Sequence, residues 1–280
     1  MNFSSPSNCW TIINAVEASI KAKIAEHGKK LSEWNISIYR GILTGYNEAF
    51  IIDSQKKEEL ILEDPKSAEI IRPILRGRDV DRYKYNFAGQ YLINVHNGIK
   101  NTCTLPINIE KYPAIKNHLN RWLETLKDRQ DQGVTPYNLR NCAYMDDFSK
   151  PKIIWKRIGS KIRFAYDNTG CYVLDSTCFA TGPMVKYLVA ILNSKLGNYM
   201  LQDSPKTGTG DLIISVQAIE PLLIPVPSEE TRANIEQLVD GILKETAEEK
   251  LLEKEIKIDQ IVFELYNLND EEKRYIESII

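Results

Sequence analysis

No apolar run in these 280 residues approaches the roughly 20 needed to cross a bilayer. The opening Met1-Asn2-Phe3-Ser4-Ser5 has neither the basic start nor the apolar centre of a secretion signal, so the chain is expected in the cytoplasm with no membrane partner. Five cysteines (Cys9, Cys103, Cys142, Cys171 and Cys178) are an odd number, and no two stand as C-x-x-C. That argues against a disulfide framework and a cysteine-based zinc site, and the thiols read as reduced and mostly buried. His27, His96 and His118 lie far apart without acidic or cysteine neighbours at ligand spacing, so no metal is expected. No internal repeat or low-complexity tract is present, and no glycine turn runs into Gly-Lys-Ser/Thr, which argues against a nucleotide-binding P-loop.

What is present is an ordinary apolar fraction of 43%, enough for one sizeable domain or two smaller ones, and a net charge of -2 that conceals an asymmetry. From Glu229 to Ile280 there are 15 acidic and 7 basic residues, a balance of -8, which leaves +6 on the remainder. A phosphate backbone responds to local positive surface, so an acidic tail does not exclude a DNA partner.

Ile13, Val16, Ile20 and Ile24 predict a first helix, with Ser7 or Asn8 as its cap and Gly28 as its end. Strands are expected at Ile36 to Arg40, at Ala49 to Ile52 and at Tyr91 to Val95, with a short helix around Ser67 to Leu75. Ile115, Leu119, Trp122, Leu123 and Leu126 predict one helix over Ala114 to Lys127. Strands follow at Ile153 to Ile158, Ile162 to Tyr166 and Tyr172 to Leu174, with Asn168-Thr169-Gly170 suited to a hairpin turn. Val185 to Leu196 reads as a helix and Pro221 to Pro227 as extended, because each proline disfavours helix at the residue before it. The rest is helical: Ile235, Leu238, Val239, Ile242 and Leu243 make one stripe, and Ile258, Ile261, Val262 and Leu265 another. Asn269 and Glu272 have the spacing of a capping pair. The reading is an α+β fold: an N-terminal helical linker over 1–32, a mixed-strand body over 33–227 and a C-terminal helical segment over 228–280.

Three phrases carry a resemblance: Tyr39-Arg40-Gly41-Ile42-Leu43-Thr44-Gly45-Tyr46-Asn47-Glu48-Ala49-Phe50, Pro136-Tyr137-Asn138-Leu139-Arg140-Asn141-Cys142, and Lys150-Pro151-Lys152-Ile153-Ile154-Trp155-Lys156. Leu174 to Phe179, Tyr187 to Lys195, Leu223 to Pro227 and Ile258 to Leu268 extend it. Together they resemble the TaqI-like C-terminal specificity (target recognition) domain of restriction-modification adenine DNA methyltransferases, type II and IIG. The resemblance implies a bacterial module that recognises a site on double-stranded DNA and presents it to a methyltransferase domain, on the same polypeptide or a partner subunit. It also implies that a nuclease domain accompanies some members.

The catalytic half has no counterpart here. An adenine methyltransferase needs an Asn/Asp-Pro-Pro-Tyr/Phe loop to hold the flipped base, and this chain has none, nor an early glycine-rich strand-to-helix turn for the methyl donor. The chain alone is therefore expected not to be an enzyme and to bind no cofactor, S-adenosylmethionine belonging to the separate catalytic domain. The alternative function is a protein–protein assembly module of a restriction-modification complex, acting through the C-terminal helices.

Two basic clusters are the candidates for DNA contact. Arg72, Arg76, Arg78, Arg82 and Lys84 lie between Ile71 and Tyr85, opposed only by Asp79 and Asp81. Lys150, Lys152, Lys156, Arg157, Lys161 and Arg163 lie within fourteen residues that contain no acid. Such side chains neutralise phosphates, and an arginine can pair bidentately with guanine; the other reading is a solvated strand face with local pairs such as Arg78 with Asp81. Arg40, Thr44 and Asn47, around a bend permitted by Gly41 and Gly45, either face DNA or build a strand connection. Lys206-Thr207-Gly208-Thr209-Gly210 is either a loop that approaches phosphate or an ordinary turn. Glu255-Ile256-Lys257 matches the E-x-K of metal-dependent nucleases, yet it falls in an amphipathic helical pattern and not on a strand. The DNA-binding set is thus Arg40, Thr44, Asn47, Arg76, Arg78, Arg82, Lys156, Arg157, Arg163, Lys206 and Thr207.

Overall fold

A computed structural model describes residues 15–99 and 103–280 of the chain. It opens with α1 (Ala15–His27), which buries Ile20 and Ile24 one turn apart and closes with the Gly28 amide on the Ile24 carbonyl at 3.0 Å. The expected Ser7 or Asn8 cap lies outside the described residues. β1 (Lys29–Lys30), β2 (Ser37–Arg40), α2 (Asn47–Phe50), β3 (Ile51–Asp53), α3 (Ser54–Glu63), β4 (Ile71–Leu75) and β5 (Gln90–Ile93) follow, then α4 (Pro113–Asn120) and α5 (Leu123–Asp128). The second run is β6 (Lys152–Lys156), β7 (Ile158–Gly159), β8 (Phe164–Asp167), β9 (Tyr172–Val173) and β10 (Thr177–Thr181). Then come α6 (Val185–Asn193), α7 (Lys195–Leu201), β11 (Leu212–Ile213), α8 (Val216–Ile219) and β12 (Leu223–Ile224), and the closing helices α9 (Glu229–Lys244), α10 (Glu248–Leu265) and α11 (Asp270–Ile279). This is the α+β architecture expected. Among the described residues no helix is long and apolar enough to cross a membrane.

The antiparallel sheet β2-β10-β6-β8 is the wall between two apolar cores. Along β6, Ile153 and Trp155 face one core and Ile154 the other; Phe164 and Ala165 divide likewise in β8, as do Cys178 and Ala180 against Phe179 in β10. A sheet buried on both faces explains why Ile153-Ile154-Trp155 is an uninterrupted apolar run instead of an alternation. The first core is completed by α1, α6, α9, α10 and α11, the second by the sheet β3-β5-β4-β9 with α3, α4 and α5. Each fully buried aromatic such as Trp155 or Phe179 contributes on the order of 3 kcal/mol through removal of its ring from water. Trp155 also donates its indole N–H to the Ile214 carbonyl at 2.8 Å, so burial leaves that group paired.

Several expected elements differ. The predicted helix over Ser67 to Leu75 is a 3-10 turn (Pro65–Glu69) followed by β4, because Pro73 holds its predecessor extended and β4 finds partners in β5 and, in parallel, β9. Ala49 to Ile52 divides into α2 and β3. The long helix over Ala114 to Lys127 is broken at Arg121 and Trp122 into α4 and α5. Val185 to Leu196 breaks at Ser194, whose hydroxyl accepts the Gly197 amide at 3.0 Å and starts α7. The Asn168-Thr169-Gly170 turn forms, with Gly170 at φ 81°, but it joins two sheets instead of closing a hairpin: β8 pairs with β6 and β9 with β4. The α3 helix was not anticipated. Leu60 is its one buried residue, so its sequence carries no apolar stripe, and its visible signal is Asp53 accepting the Lys56 amide at 2.8 Å. At the other end, Asn269 and Glu272 form the reciprocal capping box anticipated.

Candidate nucleic-acid interface

One end of the wall sheet gathers the basic residues. β2 stops at Arg40 and β6 at Lys156, while β10 begins at Thr177 and β8 at Phe164, one residue after Arg163. Lys156 lies opposite Thr177, and the Arg157 amide continues the ladder to the Ser176 carbonyl at 3.0 Å. The turn after β4 is brought here from the second sheet: the Gly77 amide donates to Ser176 Oγ at 3.1 Å. A shallow cleft of about 190 Å³ results, lined by Gly77, Arg78, Val80, Lys156, Gly159, Ser160, Lys161 and Arg163. Among the described residues no carboxylate lines it.

The Lys156 stem runs between two glycines. A Cβ on Gly77 would stand 2.9 Å from Lys156 Cγ, and one on Gly159 would stand 3.3 Å from its Nζ. Lys156 is thereby held along the floor of the cleft. Arg78, Lys156 and Lys161 are exposed and make no ion pair or side-chain hydrogen bond among the described residues. The pair of Arg78 with Asp81 considered from sequence does not form; Asp81 binds Arg163 instead, at 3.0 Å. Three cations without partners and one surface guanidinium paired with Asp81, on a concave surface, are what would neutralise an array of phosphates.

The other predicted residues divide. Arg76 is engaged within the protein, with its amide and Nε on Asp79 Oδ2 at 2.8 and 3.0 Å and its Nη2 on Oδ1 at 2.9 Å. Asp79 is only 5% exposed, so Arg76 neutralises a buried carboxylate and shapes the turn that presents Arg78. Arg40 stands at the same sheet end, half-exposed, and binds Asp175 at 3.1 Å, next to the Ser176 that holds Gly77. Gly41 must be glycine, because a Cβ there would lie 2.1 Å from the Leu174 carbonyl oxygen. Thr44 is buried and donates to Asn47 Oδ1 at 2.7 Å; Asn47 is exposed at the start of α2. Arg82 bonds the Asn193 carbonyl at 3.0 Å and Glu255 at 3.3 Å, which ties its loop to α6 and α10. Arg157 is half-buried, with its Nε enclosed and unbonded. Lys206 is exposed, and Thr207 bonds the Thr209 hydroxyl at 2.8 Å. Neither lines the cleft: Lys206 pairs with Leu212, which in turn lies opposite Gly159, so one strand separates Lys206 from the cleft strand and the 207–210 turn extends toward the same end as Ser160.

Lys152 corrects the second cluster. It is fully buried, ion-paired to Asp167 on the neighbouring strand, and donates to the Phe148 carbonyl at 2.6 Å. Asp167 also accepts from Tyr85, Thr169 and the Cys171 amide. Burial alone would raise its pKa, but the Lys152 charge and these hydrogen bonds outweigh burial and hold the carboxyl below its usual value. Glu255 lies within α10, and burial raises its pKa; among the described residues no three His, Cys, Asp or Glu side chains cluster as metal ligands would.

One organising residue escaped the sequence reading. Arg129 is buried, stacks on Phe50 at 4.6 Å from the ring centre, and donates to the carbonyls of Thr44, Pro136 and Asn138. It clasps the Tyr39–Phe50 phrase to the Pro136–Cys142 phrase. Burial lowers its pKa to about 10, so it stays cationic at neutral pH.

Comparison with solved structures gives a shared fold. The type IIL restriction-modification enzyme MmeI in complex with DNA matches with a TM-score of 0.65 and 14% identity, over 89% of this chain and 35% of that one. The type IIG restriction endonuclease BpuSI matches with a TM-score of 0.52 and 14% identity, over 91% of this chain and 34% of that one. The chain thus spans about a third of the length of each. No curated protein matches significantly. Residues 72–220, which hold the whole lining of the cleft, match the TaqI-like C-terminal specificity domain, and since that is more than half of the chain, the protein belongs to this family.

Proposed function

We propose that this chain is the DNA target-recognition module of a bacterial, cytoplasmic restriction-modification adenine methyltransferase. The observation that carries the reading is the acid-free cleft of Arg78, Lys156, Lys161 and Arg163 inside the region that matches the specificity domain. Lys156, Lys161 and Lys206 neutralise phosphates and fix the register of the duplex, while Arg78, at the tip of a turn braced by Arg76 and Asp79, reads a base edge. The methyltransferase domain stands on the same polypeptide or a partner subunit, with a nuclease domain as a further neighbour. S-adenosylmethionine is assigned to that catalytic domain. MmeI, whose fold this chain shares over a third of that enzyme's length, is described in complex with DNA, which supports the reading.

Calorimetric titration tests the division of labour. Duplex DNA should give a binding isotherm at low salt and S-adenosylmethionine none. A one-site isotherm with the methyl donor would overturn the separation of recognition from catalysis. A second reading, assembly through the C-terminal helices, is favoured by Leu252 and Ile256, which are exposed one turn apart on α10. A soluble excess of the α9–α11 surface blocking reconstitution without affecting DNA binding would support it.

A further inference from the structure

We infer that Gly208 is a point of closest approach between the protein backbone and a DNA phosphate, an inference that rests on the proposed recognition function. Each of the other thirteen of the chain's 14 glycines has either a neighbouring atom within 3.4 Å of the position a Cβ would take or a positive φ, although at Gly159 and Gly241 that neighbour is a flexible lysine side chain. Gly28, Gly41 and Gly197 are pressed against backbone, and Gly170 and Gly210 have φ of 81° and 88°. Gly208 alone has neither reason. Among the described residues nothing lies within 4 Å of its would-be Cβ, and its φ is not positive. It occupies the second position of the turn closed by the Gly210 amide on the Thr207 carbonyl at 2.9 Å, a position most residues adopt readily. Glycine in an exposed turn lowers stability through the entropy of the unfolded chain, and here no internal contact offsets that.

A second observation gives the missing neighbour a chemistry. The pairing of β7 with β11 and the Lys206–Leu212 bridge carry this turn to the same end as Ser160 and Lys161 of the basic cleft, one strand away. Lys206 extends the positive surface to the turn itself, exposed and without an ion-pair partner among the described residues. The Thr207 hydroxyl, which accepts the Asp211 amide at 3.1 Å, bonds the Thr209 hydroxyl at 2.8 Å, and the exposed Thr209 hydroxyl can turn outward to an acceptor. An anion that rests on this turn would lie where a Cβ at position 208 would project. A nucleic-acid phosphate has the matching chemistry, since it accepts from backbone N–H groups that can be reached at short range where no side chain intervenes.

The test uses the whole chain, with a fluorescein-labelled duplex followed by anisotropy at low salt, for the parent, Gly208→Ala, Gly208→Val and Lys206→Ala. Gly208→Ala should unfold at the parent temperature or roughly 1–4 °C above it, as expected where alanine adopts the native conformation without strain. Both Gly208 variants should weaken DNA binding, with valine losing roughly ten- to a hundredfold, the range lost with a hydrogen bond to a charged group. Lys206→Ala should reduce the salt slope by about one. Parent affinity in Gly208→Val overturns the contact while leaving the recognition reading intact, provided Lys156→Ala still weakens binding. A parent that fails to bind duplex DNA at any salt concentration overturns both. A melting temperature lowered by Gly208→Ala would show an internal reason for the glycine and also overturn the inference.

Discussion

Arg76 and Arg78 stand two residues apart, carry the same charge and should behave in opposite ways when changed to alanine. Arg76→Ala leaves Asp79 as a nearly buried carboxylate that keeps the Arg76 amide as its remaining partner. Breaking a buried pair by removing one partner costs about 3–5 kcal/mol. Arg76 is itself 20% exposed, so solvent offsets part of that loss and about 2–3 kcal/mol is the better expectation. For a chain of this size that lowers the unfolding temperature by roughly 5–10 °C. Arg78 has no partner to abandon, and Arg78→Ala should stay within about 0.5 kcal/mol of the parent. Its effect should appear on DNA: bidentate pairing with guanine contributes about 1–3 kcal/mol of discrimination, so preference at one base pair should relax roughly ten- to a hundredfold. Thermal unfolding by circular dichroism gives the first pair of numbers. Sequencing of methylated sites, after reassembly with a catalytic domain, gives the second. Equal destabilisation by the two variants, or unchanged site preference in Arg78→Ala, would refute the assignment of brace to Arg76 and reader to Arg78.

Two of the ion pairs give further outcomes. Lys152→Met should destabilise by about 3–5 kcal/mol in urea melts, since the buried Asp167 loses the charge that offsets its burial, while replacing both partners by apolar residues should recover most of the loss. Because Asp167 has a lowered folded pKa, its contribution is fully present above the unfolded value of about 3.9 and disappears as pH falls through the folded one; in Lys152→Met this acid sensitivity should diminish, as a pH series of melts will show. Asp81→Asn frees Arg163 and removes the negative charge beside the cleft, so affinity for any duplex should rise severalfold by anisotropy, with stability changed by less than about 1 kcal/mol. Unchanged affinity would remove Arg163 from the interface.

The elements that could be read from sequence are those with a local cause. The stripes of α9 and α10 and the Asn269–Glu272 capping box need no information from elsewhere in the chain. Lys152 and Lys156 show where this stops. Both have the same parity in one strand, so alternation places them on one face, and only Asp167, fifteen residues on and opposite Lys152, decides which lysine is buried. Arg76 and Arg78 are separated in the same way by Asp79. The basic end of the sheet was legible as two clusters, but their meeting was not, because it depends on Gly77 reaching Ser176 across 99 positions of sequence. Arg129 had no signal at all: an isolated arginine beside a turn reveals its acceptors only when the chain has folded.

The most direct measurement is the dependence of duplex affinity on salt for the parent, Lys156→Ala and Lys161→Ala. Each lysine that neutralises a phosphate contributes about 0.9 to the slope of log K against log salt, so each variant should lose affinity uniformly across sequences and flatten the slope by about that amount. The account predicts a steep parent slope and two shallower ones with unchanged melting temperatures. Three superimposable lines would contradict it, and the cleft would then be an ordinary solvated strand end.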